Sequence, residues 1–464
     1  MKKQHALMKN QDVELTIENM SHEGLGVARL DGLAVFVQGA LPGETVKARI
    51  IKAAASYAVA RVLEFLSTSP ERQEPFCPVY RRCGGCSLQH MHYAETLRFK
   101  RQVVQDSLER LGGFKGIEVK PVIGMDHPYR YRNKAQYPVG LVGGKTVAGF
   151  YARRSHDIVD ASACGIQHPS SEKVRAAVLG WAIDSRIPMY DEETGEGLLR
   201  HIVTRVGFAT GEVLAMVVAT EKRLPHAEKL VSRLKGQVPG LVGIVLNVNP
   251  VAGNAVLGEE NYILFGSPII EDKLCGMTFE ISPLSFFQVN PDQTEVLYRK
   301  AIDAAGLSGS ETVFDLYCGI GTIALAAAGK AARVIGVESV EEAVETASEN
   351  AKRNRIGNAE FHAGLAEEVV PRLIADGAKA DVVIVDPPRK GCDEKLLDTI
   401  LSMKPERIVY VSCNPSTLAR DLKRLCGVEE GQEAVYTVAS VQPVDMFAWT
   451  EHVETVVLMS RSAM

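Results

Sequence analysis

The strongest constraint on this chain lies in its last third. Four apolar runs, residues 312–319, 332–339, 380–388 and 407–415, are each followed by a helix-like segment. Continuous apolar runs of this kind belong to strands covered on both faces, and their alternation with helices predicts a doubly wound parallel sheet after residue 286. Residues 11–66 read differently. VELTIENM, LAVFVQGAL, TVKARIIKA and YAVARVLEFL are short alternating stretches broken by Gly24, Gly26, Gly32 and Pro42-Gly43. Closely spaced turns of this type predict a small β-barrel, ended by the Ser- and Pro-rich linker 67–75.

Between the two, the chain reads as a mixed α+β region, rich in strands and broken by one helical run near Ala227–Leu234. The expected division is 1–70, 71–285 and 286–464. A helix expected over 93–111 sets Leu97, Val104, Leu108 and Leu111 on one face and Arg98, Arg101 and Arg110 on the other. It is expected to pack on the C-terminal domain.

Charge is unevenly spread. The 464 residues carry 52 basic and 57 acidic side chains, a net −5 that argues against a strongly basic nucleic-acid binder. Residues 1–160 hold 23 basic against 16 acidic, net +7, and the remainder 29 against 41, net −12. The positive portion suits an anionic partner. Nine cysteines, an odd number, and the polar Gln4 and His5 after Met1-Lys2-Lys3 predict a cytoplasmic protein with reduced thiols. The longest apolar stretches, such as 323–328, fall far short of the roughly 20 residues of a bilayer span, so no membrane is expected.

Chemistry concentrates at the predicted strand ends. Gly319 and Gly321 in FDLYCGIGT make a tight strand-to-helix turn where a ligand can approach the backbone. Glu338 ends the next strand, 17 residues beyond Gly321, where a carboxylate can take both hydroxyls of a ribose. That pairing fits either NAD or S-adenosylmethionine. Asp315 favours the latter, whose ammonium group needs a carboxylate. Asp386 precedes two prolines that force the chain out of the sheet, and a carboxylate there can hold the amide side of a uracil.

Cys413, in SCNP, follows an apolar strand and precedes a helix, a position expected to lower a thiol's pKa and make a nucleophile. Glu454 opens a terminal strand. If that strand joins the sheet, the carboxylate faces the same cavity as Cys413 and can act as a general base. Cys318, Cys392 and Cys426 read as packing residues. Cys77, Cys83 and Cys86, with Cys164 lying 78 residues further on, allow a four-thiolate site for zinc or an iron–sulfur cluster. The five-residue gap between Cys77 and Cys83 argues against a radical S-adenosylmethionine enzyme.

With these pieces in order, the chain resembles the bacterial RNA 5-methyluridine methyltransferases, specifically the 23S rRNA (uracil-5-)-methyltransferase branch. The resemblance spans nearly the whole chain and rests on the TRAM-like, OB-like N-terminal stretch, the four cysteines, SFFQVNP at 285–291, FDLYCGIGT, DPPRKG, SCNP and HVET. It implies a Rossmann-like S-adenosylmethionine methyltransferase domain, an RNA substrate, most directly 23S rRNA, and a monomer. It further implies a 4Fe-4S cluster on Cys77, Cys83, Cys86 and Cys164, and cofactor contacts from Gln288, Tyr317, Glu338 and Asp386. Cys413 and Glu454 match its nucleophile and base. The shorter tRNA branch generally lacks the barrel and the cysteines. One departure stands out: Phe447-Ala448-Trp449-Thr450 replaces the family's frequent Phe-Pro-His-Thr. A tRNA uridine methyltransferase, an NAD-dependent oxidoreductase and a non-catalytic RNA-binding protein are the competing readings. The last has no use for Cys413 and Glu454 together.

Overall fold

A computed structural model describes residues 7–428 and 435–462. Met1–His5, read above as a polar start, lie outside them, as do the last two residues of the 286–464 stretch. The N-terminal strands β1 (Asp12–Thr16), β2 (Asn19–Met20), β3 (Gly26–Leu30), β4 (Leu33–Gln38), β5 (Thr45–Ala53) and β6 (Tyr57–Ser67) form one six-stranded sheet ordered β1-β5-β6-β4-β3-β2. Alternate residues such as Val35, Val37, Val46, Ala48 and Ile50 are fully buried in its own small core, as a two-residue side-chain period requires. β3 was not foreseen, because its flanking glycines masked a five-residue strand.

Helix α1 (Tyr93–Arg110) follows. Its buried Val104 and Leu108 join Leu418 and Leu422 of the C-terminal domain in one apolar cluster, so the helix packs on that domain. Its arginines do not form a free basic face. Arg98 pairs with Glu71 and Glu95, Arg110 with Asp106, and Arg101 donates to the Val119 carbonyl.

The middle region is a seven-stranded sheet, β13-β12-β11-β10-β7-β8-β9. Its strands are β7 (Lys134–Val142), β8 (Lys145–Tyr151), β9 (Ile158–Asp160), β10 (Leu199–Val206), β11 (Val213–Ala219), β12 (Leu241–Val248) and β13 (Glu260–Gly266). Two helices pack on it, not the one expected: α2 (Pro169–Asp184) joins α3 (Ala227–Gln237). Buried residues of α2 include Val174, Ala177, Val178 and Trp181 but also Ser171 and Arg175. An apolar stripe interrupted by buried polar groups gives a weak periodic signal, which is why the helix escaped the sequence reading. The hairpin β14 (Ile270–Leu274) and β15 (Met277–Ile281) leads into α4 (Pro291–Ala305).

The C-terminal sheet is ordered β18-β17-β16-β19-β20-β22-β21. β16 (Thr312–Leu316), β17 (Arg333–Glu338), β18 (Ala359–Ala363), β19 (Val382–Val385) and β20 (Arg407–Ser412) run parallel, with α5 (Thr322–Ala328), α6 (Glu341–Arg353), α7 (Ala366–Ala375), α8 (Glu394–Met403) and α9 (Pro415–Leu425) between or after them. β21 (Tyr436–Val444) and β22 (Glu454–Arg461) add antiparallel. The sheet is therefore mixed, not wholly parallel. A hairpin at one edge places the start of β22 beside the end of β20, which a parallel addition could not do. Among the described residues no helix is long and apolar enough to cross a membrane.

Candidate active site

The carboxyl ends of the parallel strands carry three acidic residues and the Cys413 thiol, and the antiparallel β22 brings a fourth acidic residue. β16 carries Asp315, β17 ends in Glu338, β19 is followed by Asp386 and β20 by Cys413. Ser412 pairs with Thr455 in the antiparallel register of β20 and β22, so Glu454 begins its strand next to Cys413.

Their electrostatics follow from burial among like charges. Asp315 is 1% exposed, its carboxylate oxygens lack a well-formed hydrogen bond, and burial, then Asp386 and Glu338, push its pKa up to about 8 against the nearby Ala324 amide. Burial likewise raises Asp386 to about 7. Glu454, 3% exposed with one oxygen unpartnered, lies well above the usual carboxylate range through burial and then Asp386, opposed by Arg389.

The thiol of Cys413 is pushed up to about 11 by burial, then by Glu454 and Asp386, with Arg389 again opposing. The lowered thiol pKa expected from the helix N-terminus is thus overturned. Asn414 does cap α9 by accepting from the Ser416 amide, with Pro415 in the first turn, but two neighbouring carboxylates and desolvation outweigh a helix dipole worth about 1 kcal/mol. Two residues missed in the sequence belong here. Arg389 faces both Cys413 and Glu454. Tyr298 of α4 hydrogen-bonds Thr322 at 2.9 Å beside Asp386 and Asp315. Arg389 sits inside the DPPRKG motif and was legible; Tyr298, on an amphipathic helix, carried no signal.

The turn after β16 is held in the form the glycines allow. Gly319 and Gly321 have φ of 53° and 84°, and Gly321 starts α5. Glu338 accepts the Gly319 amide at 3.1 Å and the Val340 amide and Ser339 hydroxyl at 3.0 Å, so the carboxylate is aimed at the turn. Gln288 is buried just before α4, where its carbonyl accepts from Asn133. The Tyr317 ring packs on the cluster that includes Leu396 and Val370, with Cys392, Asp393 and Glu367 as its charged or polar neighbours.

The four cysteines meet elsewhere. Cys77, Cys83, Cys86 and Cys164 line one cavity of about 410 Å³ together with Arg132, Lys134 and Gln136. The loop reaches it through the Gly84 amide, which donates to the Tyr151 carbonyl at the end of β8; a side chain at Gly84 would sit 2.9 Å from that oxygen. Cys164 arrives on a segment pinned by Arg130 and Arg132 amides to the Gly165 and Ile166 carbonyls. Burial, together with the neighbouring Cys164, Cys83 and Cys77 thiols and against a hydrogen bond with Gln89, pushes Cys86 up to about 12. Among the described residues no group of three or more His, Cys, Asp or Glu side chains is placed to hold a metal ion as it stands.

A groove of about 820 Å³ runs between the barrel and α1, past Asn19, Arg29, Phe36, Arg98 and Arg110, and reaches Ser416, three residues from Cys413.

Comparison with known proteins gives a consistent result. Residues 252–462 match the tRNA (uracil-5-)-methyltransferase family and residues 6–63 the TRAM domain. A protein of Halalkalibacterium halodurans described as an uncharacterized RNA methyltransferase is 49% identical, covering 99% of both chains. One of Clostridium tetani with the same description is 48% identical over 99% of this chain and 98% of its own length. In structure, the Pyrococcus abyssi tRNA (uracil-54, C5)-methyltransferase, in complex with S-adenosyl-L-homocysteine, superposes with a TM-score of 0.77 at 29% identity, covering 96% of this chain and all of that one.

Proposed function

The chain belongs to the RNA uracil-5-methyltransferase family, S-adenosylmethionine-dependent enzymes, here with an N-terminal TRAM domain, and on that premise we propose that it methylates carbon 5 of uridine in 23S rRNA, with Cys413 as nucleophile and Glu454 as base. The observation that carries this reading is the approach of Cys413 and Glu454 enforced by the Ser412–Thr455 register.

The residues explain the reaction. Carbon 5 of uracil is a weak nucleophile. The Cys413 sulfur forms a bond to carbon 6, and the electron pair of the 5,6 double bond moves into an enolate whose carbon 5 is nucleophilic. S-adenosylmethionine supplies an electrophilic methyl group and positive charge. Asp315, buried at this edge, would hold its ammonium group, and Glu338 and the Gly319–Gly321 turn would receive its ribose. Gln288, Tyr317 and Asp386 complete the cofactor-binding set. After carbon 5 has taken the methyl group, Glu454 removes its remaining proton, the double bond re-forms and the sulfur leaves from carbon 6. The Cys413 thiol, near 11, is protonated near neutral pH in the free protein, and burial beside Asp386 holds the Glu454 carboxyl well above its usual range. Cationic charge entering this carboxylate cluster favours their deprotonated forms.

The base must leave its stack to reach Cys413, which costs a few kcal/mol and is easiest in a loop. The groove between barrel and α1 supports an RNA path ending at the site. The enzyme works as a cytoplasmic monomer in three parts, 1–70 for RNA binding, 71–285 with the cysteine site and 286–464 for catalysis. Four thiols around one cavity with Arg132 and Lys134 fit an anionic 4Fe-4S cluster, which is broader than a single ion. Cys77, Cys83, Cys86 and Cys164 would hold it in a structural role.

A tRNA substrate is the second reading, favoured by the archaeal tRNA enzyme that matches along 96% of this chain. Labelled methyl transfer to purified 23S rRNA and to tRNA separates the two, together with 5-methyluridine mapping in RNA from a deletion strain. Loss of the nucleoside from tRNA alone would sink the rRNA assignment.

A further inference from the structure

The segment 445–451, which carries the chain from β21 into Glu454, is held almost entirely from outside the catalytic sheet. Tyr93 and Lys100 of α1 bind the Asp445 carboxylate at 2.7 and 2.5 Å. Asn290 donates to the Met446 carbonyl, Lys100 to that of Phe447 and Tyr131 to that of Ala448. The Trp449 indole donates to the Pro128 carbonyl at 2.6 Å. Further ties come from the cysteine loop. The Trp449 carbonyl accepts both the Ser87 and Leu88 amides, at 2.9 and 3.0 Å, and the Ser87 hydroxyl donates to Glu451 at 2.5 Å. Ser87 is itself fixed, its carbonyl accepting from Tyr80 at 2.6 Å. Trp449 needs such support. It has φ of +67°, a conformation that costs a non-glycine residue on the order of 1 kcal/mol or more, and it is 1% exposed.

From this geometry we infer that Ser87 is a positioning residue for the methyl-transfer reaction: through Glu451 and Trp449 it sets the segment that places Glu454, so the cysteine loop bears directly on the proton-abstraction step. Cys86 adjoins Ser87 in sequence, and Cys86 and Cys164 pack against the buried cluster of Tyr131, Ile166, Ala448 and Trp449. The order of the four-cysteine site is thereby transmitted to the base over three residues of chain, from Glu451 to Glu454. This inference rests on the reading of Glu454 as the base.

The experiment compares Ser87→Ala, Glu451→Ala, Glu451→Gln and Glu454→Gln in the full-length protein, with folding checked by thermal unfolding. Loss of the Glu454 base blocks elimination but not addition of Cys413, so Glu454→Gln accumulates a methylated covalent protein–RNA adduct. Ser87→Ala and Glu451→Ala are expected to lower kcat about tenfold, the scale of one hydrogen bond to a charged group, with KM for RNA unchanged and the steady-state adduct raised. Glu451→Gln still accepts from Ser87 and stays within about twofold of the parent. On a Trp181→Phe background, Trp449 emission shifts to the red in Ser87→Ala. Wild-type kcat and emission in both alanine variants overturn the inference, as does a loss of kcat without added adduct. Absence of adduct in Glu454→Gln instead overturns the assignment of the base and leaves the Ser87–Glu451 tie to be judged by emission and by the Glu451→Gln rescue.

Discussion

Ser412 faces Thr455 across the antiparallel pair β20 and β22, and this pairing sets Cys413 beside Glu454 although 40 residues of chain lie between them. The proposed nucleophile leaves the sheet where the proposed base enters it. A one-residue slip would turn Glu454 to the opposite face, so the register is itself part of the active site.

Replacing Cys413 with Ala is expected to lower methyl transfer by roughly three orders of magnitude or more, because it removes the sulfur proposed to add to carbon 6. Transfer of labelled methyl to RNA measures it. Transfer by Cys413→Ala at the parental rate would remove covalent catalysis from consideration.

The pH dependence follows from the raised thiol. With Cys413 near 11, the thiolate is the minor form throughout the neutral range. The value of kcat/KM should climb with pH from 6 to 9, by up to about tenfold per unit, without a plateau below 9. Arg389→Ala removes the cation opposing the rise and should lower the rate at pH 7.5 while moving the profile to higher pH. A flat profile over that range would show that proton loss from the thiol is not limiting.

Asp315 makes a stability prediction with a definite sign. Its folded-state pKa, about 8, lies above its ordinary value of 3.8. The contribution is fully present below about 4 and is lost as pH rises through 8. Asp315→Asn should therefore raise the melting temperature of the ligand-free protein at pH 8, with little gain at pH 5. The same variant should lose stabilisation by S-adenosylmethionine. Calorimetry at the two pH values, with and without cofactor, checks both.

Lys100 and Asp445 form a salt bridge with both side chains fully buried, joining α1 to the segment before Glu454. Removing one partner strands the other charge, at a cost of about 3 to 5 kcal/mol. Lys100→Met should thus be much less stable than the parent, and Lys100→Met combined with Asp445→Leu less damaged than the single variant. Denaturant unfolding of the three proteins tests this, and a double variant that is additive would contradict it.

Protein purified without oxygen should be brown and contain iron and acid-labile sulfide, and Cys86→Ser should lose both. Zinc in place of iron, with no sulfide, would refute the cluster.

Most of the candidate site's architecture was legible because it is local. Apolar runs ending in Gly319, Glu338, Asp386 and Cys413 announce strands whose ends carry chemistry, and chain direction alone brings parallel strand ends to one edge. Glu454 could be named but its position could not, since only the antiparallel addition of β22 brings it there.

Three things were decided by tertiary structure alone. The ionisation of Cys413 follows from carboxylates on other strands, which reversed the effect expected from its own helix. The partners of Arg98, Arg101 and Arg110 turned a basic face into a set of local contacts. Ser87 became a support for the segment leading to Glu454 although 367 positions separate the two. Sequence determines which side chains and which local periods exist. Burial, charge and register depend on what the fold places across from them, and those fields act through space.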